Sequence, residues 1–154
     1  MMKYLADEML GKLCKWLRFL GYDTEYFSGG TDAELLLKGR LEERMILTRD
    51  SRLFNDVKNK GNAVCFIKFD GLKEQLLQIK NEFNIKDLSG RFRRCSVCNK
   101  LLEEADRDFV KRLVPPYILQ TKDEFRYCSN CRKVYWKGSH SKHINEIIEE
   151  VFNE

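Results

Sequence analysis

The sequence predicts an α/β fold, a parallel sheet flanked by helices, followed by a small four-cysteine module. The first observation is that short apolar segments alternate with amphipathic helical segments about four times in roughly the first 85 residues. That alternation is typical of βα units joined by right-handed crossovers. The second observation is a pair of Cys-x-x-Cys motifs that both lie after residue 90. We therefore predict a sheet domain over residues 1–90 and a separate module over residues 91–154.

The predicted elements of the sheet domain follow from apolar spacing and from helix-start signals. The strands are predicted over residues 3–6, 23–27, 45–48 and 63–69, and the helices over 9–20, 31–43, 51–60 and 71–83. Thr31 and Glu34 have the spacing of a capping box, and Asp70 is placed to cap the last of these helices. The first helix should carry Lys12, Lys15 and Arg18 on its polar face, and the last should bury Leu72, Leu76, Leu77 and Ile79.

The composition is that of a globular protein with a mild positive charge. The chain has 154 residues, of which 43% are hydrophobic and 12% aromatic, which is sufficient for a core and excludes a disordered chain. A net charge of +4 permits nucleic-acid binding without requiring it. Charged residues interrupt the first apolar stretch, and no uncharged run is long enough to cross a bilayer. We expect a cytoplasmic protein without a signal peptide or a membrane partner.

Two aspartates directly follow predicted strands. Asp7 comes after the first strand and Asp50 after the third. If these strands are neighbours, both carboxylates emerge at the carboxyl edge of the sheet, where open α/β sheets bind ligands. Like charges at close range raise each other's pKa, so a hard divalent cation with oxygen ligands is the natural partner of the pair. The alternative is that each aspartate only caps the helix that follows it.

The six cysteines fall into two groups. Cys14 and Cys65 stand alone in apolar patterns and are predicted to be core residues. The others form two motifs separated by 29 residues: Cys95, Cys98, Cys128 and Cys131. In a reducing compartment this arrangement indicates a metal site rather than disulfides. Four thiolates complete a tetrahedral zinc site with no open position, so the zinc would be structural, with an iron–sulfur centre or a redox pair as the alternative.

The four-cysteine module is also the more basic part of the chain. Residues 91–154 hold 13 Lys and Arg against 10 Asp and Glu, and a helix over 105–113 and strands over 125–127 and 134–136 are predicted there. Cations interleaved with aromatic rings suit phosphates and unstacked bases. The candidate RNA-binding residues of this module are Arg93, Arg94, Arg132, Lys133, Lys137 and His140. The alternative is a solvated charged face over a small aromatic core.

Three groups of segments together resemble a known family. They are ADEMLGKL with KWLRFLGYD (residues 6–13 and 15–23), DAEL with RMILTRD (32–35 and 44–50), and the ribbon that ends in VYWKGSH (134–140). The chain resembles the PIN-like ribonuclease domain with a C-terminal zinc ribbon, named for the C-terminal region of the Mut-seven exonuclease. The resemblance implies a compact PIN-like parallel sheet flanked by helices, with acidic residues that bind Mg²⁺ or Mn²⁺ for RNA cleavage.

The resemblance also implies the roles of individual residues. Asp7, Asp32 and Asp50 match the acidic positions, while Glu34 competes with Asp32 and Asp56 is a loose match for a fourth position. Bound divalent ions activate water and stabilise the leaving oxygen in such sites. Lys12 and Arg49 would contact phosphate, and Thr48 would orient a water or an aspartate oxygen, although all three also have ordinary structural explanations.

We therefore expect a metal-dependent ribonuclease whose zinc ribbon assists RNA binding. One alternative is a non-catalytic module that binds RNA or the ribosome. The other is a protein-interaction adaptor that uses the ribbon as its docking surface.

Overall fold

The computed structural model of the protein describes residues 1–153, which form a four-stranded parallel sheet with helices and a three-stranded antiparallel ribbon. The strands are β1 (Tyr4–Ala6), β2 (Thr24–Tyr26), β3 (Met45–Thr48), β4 (Val64–Phe66), β5 (Glu103–Ala105), β6 (Phe125–Cys128) and β7 (Lys133–Trp136). The α-helices are α1 (Gly11–Phe19), α2 (Asp32–Leu41), α3 (Ser51–Asn59), α4 (Leu72–Glu82), α5 (Arg107–Val110), α6 (Pro116–Thr121) and α7 (Ser139–Phe152), and a 3-10 turn covers Glu8–Leu10. None of the described helices is long and apolar enough to span a membrane.

The parallel sheet has the strand order β2-β1-β3-β4. Ala6, the last residue of β1, lies opposite Leu47 on β3 and Tyr26 on β2. The residues that follow β1 and β3 therefore emerge beside each other at the carboxyl edge. The α/β fold class predicted from the alternating pattern is confirmed, and the first and third strands are neighbours, which was the condition for the two aspartates to emerge side by side.

Helices cover both faces of this sheet. On one face α1, α4 and α7 enclose a core that includes Leu13, Leu17, Leu76, Ile79, Ile144 and Ile148. On the other face α2 and α3 pack through Leu35, Leu36, Leu53 and Val57 against Leu5 and Ile46. Cys14 and Cys65 are buried, as predicted for core residues. The C-terminal helix thus completes the core of the parallel sheet.

Two predictions for α4 are wrong. Its N-cap is Gly71 rather than Asp70, because the Asp70 carboxylate forms an ion pair with Arg49 instead. Leu77 is 39% exposed, whereas Gln78 is buried. The amide of Gln78 donates to the carbonyl of Phe66 at 2.7 Å, and its side-chain oxygen accepts from the backbone amide of Lys68 at 3.0 Å. A polar residue is buried here because it satisfies backbone groups of the edge strand β4.

The insert between the two cysteine pairs also differs from its prediction. Instead of one helix over 105–113, it contains β5, the short α5 and α6. Asp106 caps α5 by accepting a hydrogen bond from the amide of Phe109 at 2.8 Å, which fixes the helix start after residue 105. Pro116 then begins α6 as a separate helix, as expected for proline at a first helical position. The insert packs on β6 and β7 through Val110, Val114, Ile118, Phe125 and Val134.

The ribbon is joined to the parallel sheet along its outer strand β2. The Asn99 side chain accepts a hydrogen bond from the Thr24 amide at 3.0 Å and donates to the Asp23 carboxylate at 2.7 Å. Burial would raise the pKa of Asp23, but hydrogen bonds from Arg44 and Asn99 lower it below its ordinary value. Asn99 therefore satisfies a backbone amide of the edge strand β2 that a further strand would otherwise pair with.

A buried arginine adds a second set of bonds between the sheet and the ribbon. The guanidinium of Arg18 on α1 donates to the carbonyls of Thr24 at 2.8 Å, Ser96 at 3.1 Å and Val97 at 3.0 Å. Gly21 approaches Gly90 so closely that a Cβ on Gly21 would lie 2.2 Å from the Gly90 carbonyl oxygen. The predicted boundary at residue 90 thus falls within a densely bonded region, and the division into two domains stays a prediction.

Candidate active site and metal centre

Asp7 and Asp50 lie at the carboxyl edge and are linked through Thr48. The Thr48 hydroxyl donates to Oδ2 of Asp7 at 2.9 Å, and the same hydroxyl oxygen accepts the backbone amide of Asp50 at 3.0 Å. Thr48 is fully buried because it ends β3, whereas Asp50 is exposed. The Thr48 side chain therefore orients the carboxylate of Asp7, and it also holds the backbone of Asp50.

Both aspartates also act as helix caps. Oδ1 of Asp7 accepts the amide of Glu8 at 2.7 Å, and Oδ1 of Asp50 accepts the amides of Arg52 and Leu53 at 2.9 and 3.1 Å. Capping occupies one oxygen of each carboxylate, and Oδ2 of Asp50 has no hydrogen-bond partner within residues 1–153. The capping explanation and the metal-site explanation are thus compatible, because each uses a different oxygen.

Asp32 and Glu34 lie in the first turn of α2 and differ in their contacts. Glu34 completes the predicted capping box, since its Oε2 accepts the Thr31 amide at 3.1 Å while its own amide donates to Oγ1 of Thr31 at 3.2 Å. Asp32 is exposed, and its carboxylate has no partner in the described part of the chain. Glu34 therefore has a structural task, whereas Asp32 is free to take a ligand.

The remaining candidates near the carboxyl edge are also accounted for. Asp56 lies on the exposed side of α3 and pairs with Lys60 at 3.0 Å, one helical turn away. Lys12 is exposed at the second position of α1, shortly after Asp7. Arg49 is partly buried and forms an ion pair with the exposed Asp70. Arg49 and Lys12 thus place cations close to the two aspartates along the chain.

The acidic donors suit a hard cation in an open geometry. Carboxylates and one hydroxyl are the oxygen ligands that Mg²⁺ and Mn²⁺ prefer, and no thiol or imidazole is involved. Within residues 1–153, only the four cysteines form a group of three or more potential ligands whose atoms all lie within 4.8 Å of one another. The three acidic candidates are therefore more widely spaced. Within residues 1–153 the acidic candidates thus do not form a closely grouped set of ligand atoms.

The four predicted cysteine ligands converge on one point. The Sγ atoms of Cys95 and Cys131 are 3.8 Å apart, and those of Cys98 and Cys128 are 3.5 Å apart. A tetrahedron with Zn–S bonds of about 2.3 Å has S···S edges of about 3.8 Å. The thiols are not joined as disulfides. The cluster could therefore hold a zinc ion with only small adjustment.

Hydrogen bonds favour the thiolate form of Cys95 even without a metal. The Tyr135 hydroxyl lies 3.1 Å from its Sγ, and the amides of Val97 and Cys98 also point to it. Burial opposes ionisation, but these bonds together lower the pKa of Cys95 to about 6. The Tyr135 hydroxyl also lies 3.4 Å from Oγ of Ser96. It therefore connects the candidate metal ligand Cys95 to the turn whose carbonyl groups accept hydrogen bonds from Arg18. In contrast, burial raises the pKa of Cys128 and the hydrogen bond with Cys98 raises the pKa of Cys131, so without a cation the thiolate form is favoured at Cys95 but not at these two thiols.

The candidate RNA-binding residues of the ribbon differ in how free they are. Arg94 donates to the carbonyls of Gly21 at 3.0 Å and Asn99 at 3.0 Å, which gives it a structural role. Arg93 and Arg132 are exposed, whereas Lys133 lies over the Tyr135 ring at 5.1 Å. Lys137 forms an exposed ion pair with Glu124 at 3.2 Å. His140 is exposed at the start of α7, with its ring 6.3 Å from that of Phe19.

Three important residues were not identified from the sequence. Arg18 was predicted on a solvent-facing side, but it is only 6% exposed because it binds ribbon carbonyls. Asn99 follows a cysteine motif directly, a position that could have indicated a role in the turn. Tyr26 ends the second strand, and its register with Ala6 places it beside the residue before Asp7. Only the strand order reveals that position.

Comparison with known proteins gives one match. A family model described as the Mut7-C RNAse domain matches residues 2–148, a span that includes the parallel sheet, the ribbon and most of α7. No curated protein and no solved structure matches the chain.

Proposed function

The chain belongs to the Mut7-C RNAse domain family, and we propose that it is a divalent-metal-dependent ribonuclease with an acidic active site at the carboxyl edge of the sheet. The observation that carries this proposal is the link between Asp7 and Asp50 through Thr48. It holds two acidic groups on neighbouring strands in a fixed relation. A family match alone would support RNA cleavage without indicating where it occurs.

Asp7, Asp32 and Asp50 are the residues that would hold Mg²⁺ or Mn²⁺. When bound, such a cation supplies Lewis-acid stabilisation of the phosphate and lowers the pKa of an attacking water. Thr48 keeps Oδ2 of Asp7 oriented toward the edge. Arg49 and Lys12 contact phosphate oxygens and offset their charge. Glu34 and Asp56 are less suitable ligands, because Thr31 and Lys60 already engage them.

The ribbon would hold one structural zinc ion through Cys95, Cys98, Cys128 and Cys131. The S···S distances match a four-thiolate tetrahedron, and a closed set of four thiolates leaves no position for substrate. The zinc therefore stabilises the ribbon and does not take part in cleavage.

RNA would extend from the carboxyl edge along α1 toward the ribbon. α1 begins four residues after Asp7 and ends at Phe19, which contacts both Phe92 and His140. Lys12 and Lys15 are exposed along this helix, about 4.5 Å apart in rise. Since an empty acidic site repels phosphate, affinity has to come from such cations and from those of the ribbon, Arg93, Arg132, Lys133 and Lys137.

The test is cleavage of a mixed-sequence single-stranded RNA by the full chain with Mn²⁺ or Mg²⁺. We expect metal-dependent turnover that Asp50→Asn or Asp7→Asn lowers by at least the roughly 10- to 100-fold that loss of a group orienting a metal ligand costs. Asp108→Asn is the matched control, because that aspartate is exposed on the ribbon insert. Thermal unfolding of each variant checks that the fold is retained.

Two results would contradict the proposal. Full activity of the Asp50→Asn variant would show that the acidic edge is not the active site. Salt-sensitive RNA binding without turnover would favour a non-catalytic RNA-binding module, and the absence of both would favour an adaptor.

A further inference from the structure

Tyr26 presents an exposed aromatic ring at the carboxyl edge, on the strand next to Asp7. Its register partner is Ala6, and neighbouring strands are about 4.8 Å apart. The side chain is 40% exposed although it ends a strand of the sheet. Part of this aromatic ring therefore remains in solvent beside the proposed phosphate-cleaving site.

The ring is held rigidly in this position. The Tyr26 hydroxyl donates to the carbonyl of Glu8 at 2.6 Å, in the turn that directly follows Asp7. The ring also lies over Gly11, where a Cβ would be only 3.5 Å from Cζ of Tyr26. Both contacts are at the hydroxyl end of the ring and, together with its attachment to β2, they limit its movement, so less conformational freedom is lost when a ligand stacks on it.

The surroundings of the ring combine apolar surface with a cation. Met9 is 65% exposed in the same turn, and Lys12 is exposed one turn further along the chain. Glu8 is exposed in the same turn and adds a negative charge to it. A flat, uncharged ligand linked to a phosphate satisfies all of these features, because Lys12 can take the phosphate.

We infer that Tyr26 stacks against an unpaired nucleobase of the RNA strand whose phosphate lies at the acidic edge. The inference rests on the proposed ribonuclease function and specifies the substrate as single-stranded at this position. Every base has a π-face, so stacking on Tyr26 positions the strand with little sequence preference. Tyr26 is thus a substrate-positioning residue, and Asp7 and Asp50 remain the proposed cation ligands.

The first test measures cleavage of single-stranded RNA by wild type, Tyr26→Ala and Tyr26→Phe. Loss of one stacked base weakens binding by about 5- to 150-fold, so Tyr26→Ala should raise KM by that factor with a smaller change in kcat. Tyr26→Phe keeps the ring but loses the hydrogen bond to Glu8, so its KM should lie between those of wild type and Tyr26→Ala. Tyr117→Ala is the matched control, because this tyrosine is 65% exposed in the ribbon insert.

The second test does not depend on cleavage. RNA that carries the fluorescent base 2-aminopurine at successive positions is added to the Asp50→Asn variant, with and without Tyr26→Ala. We expect the fluorescence to be quenched at one position, and the quench to disappear only when the ring is removed. Tyr26→Phe in the same background should retain it.

The outcomes separate this inference from the proposed function. Unchanged KM and quenching in Tyr26→Ala, with active wild type, would overturn the stacking role alone. Equal losses in Tyr26→Phe and Tyr26→Ala would overturn it as well, since the hydrogen bond to Glu8 would then be the important feature. A ring-dependent quench in a protein that never cleaves RNA would support stacking and contradict the nuclease, and no binding at all would contradict both.

Discussion

The side-chain oxygen of Asn99 accepts a hydrogen bond from the backbone amide of Thr24 at 3.0 Å, so a residue of the first cysteine turn completes the edge of the parallel sheet. The Asn99 amide group also donates to the carboxylates of Asp23 at 2.7 Å and Glu25 at 3.2 Å. Both the oxygen and the nitrogen of this buried side chain are therefore used between the sheet and the ribbon.

The first prediction concerns Asn99→Gly. Glycine suits the positive φ of 72° at this position, so the variant removes the amide without adding backbone strain. We expect a decrease of about 1–3 kcal/mol in the free energy of unfolding, because the Thr24 amide and the Asp23 carboxylate are deprived of a partner. Urea denaturation measures this decrease in the free energy of unfolding. Asn84→Gly is the control, at an exposed site with a φ of 49°. If both variants lowered the free energy of unfolding equally, the hydrogen bonds of Asn99 would not be the cause of the decrease.

The second prediction concerns zinc. Purified protein should contain one zinc ion per chain, and Cys98→Ser should lose it. Because Arg18 binds the first cysteine turn, and Asn99 of that turn binds the amide of Thr24, we expect hydrogen exchange to accelerate at the amides of Thr24 and Glu25 as well as within the ribbon. Metal analysis and exchange measured by mass spectrometry check both points. Unchanged protection of β2 in the zinc-free variant would show that the sheet edge is independent of the metal, and metal-free disulfides would contradict the site itself.

The third prediction concerns Thr48. Thr48→Val removes the hydroxyl that links Asp7 and Asp50 while keeping the shape of the side chain. We expect RNA cleavage to fall by about 10- to 100-fold, as for other groups that orient metal ligands. Thr48→Ser keeps the hydroxyl and should retain most of the activity. Equal activity of the valine and serine variants would mean that the link does not matter for cleavage.

The fourth prediction concerns α7. Ile148 is fully buried against the sheet domain, so Ile148→Ala should lower the free energy of unfolding by about 2–5 kcal/mol. Ile147→Ala is the control at a half-buried neighbour and should cost less. For the same reason residues 1–90 alone should expose the surface that α7 covers, and should bind a dye specific for apolar surface. A stable, cooperative fragment would contradict the shared core.

The fifth prediction concerns RNA affinity. Replacing the exposed Arg93 and Lys137 with Ala should lower the dependence of log K on log salt by about 0.7 for each phosphate that these cations neutralise. Fluorescence anisotropy of single-stranded RNA across a salt series measures the slope. Lys86→Ala is the control, because Lys86 is exposed outside the ribbon. A slope that changes equally in the control would indicate a general charge effect.

Local signals in the sequence were sufficient for most of the sheet domain. The capping box of Thr31 and Glu34 and the strand Met45–Thr48 were predicted correctly, because each depends only on residues close in sequence. The sequence placed Asp7 and Asp50 at the carboxyl edge only on the condition that their strands are neighbours, and the strand order of the structure meets that condition. The four cysteines were identified from their spacing alone, and they do converge.

Long-range satisfaction of polar groups could not be predicted in this way. Arg18 has the helical spacing of a surface cation, and its acceptors Ser96 and Val97 are 78 and 79 residues away. Gln78 is buried in place of Leu77 because the open edge of β4 needs a donor and an acceptor. The residues next to Arg18 and Gln78 in the sequence give no sign of these hydrogen-bond partners. They become visible only when strand order and the docking of the ribbon are known.

The return of α7 to the core has a consequence for the order in which the protein can fold as it is synthesised. Many domains fold as units beginning from the N terminus while translation continues. Here Ile144 and Ile148 pack with Leu13 and Leu17, so the core closes only after the whole ribbon has left the ribosome. A nascent chain therefore cannot complete the core on this face of the sheet before its cysteine turns have been synthesised. A chain released before residue 144 would lack the helix that covers this face of the sheet.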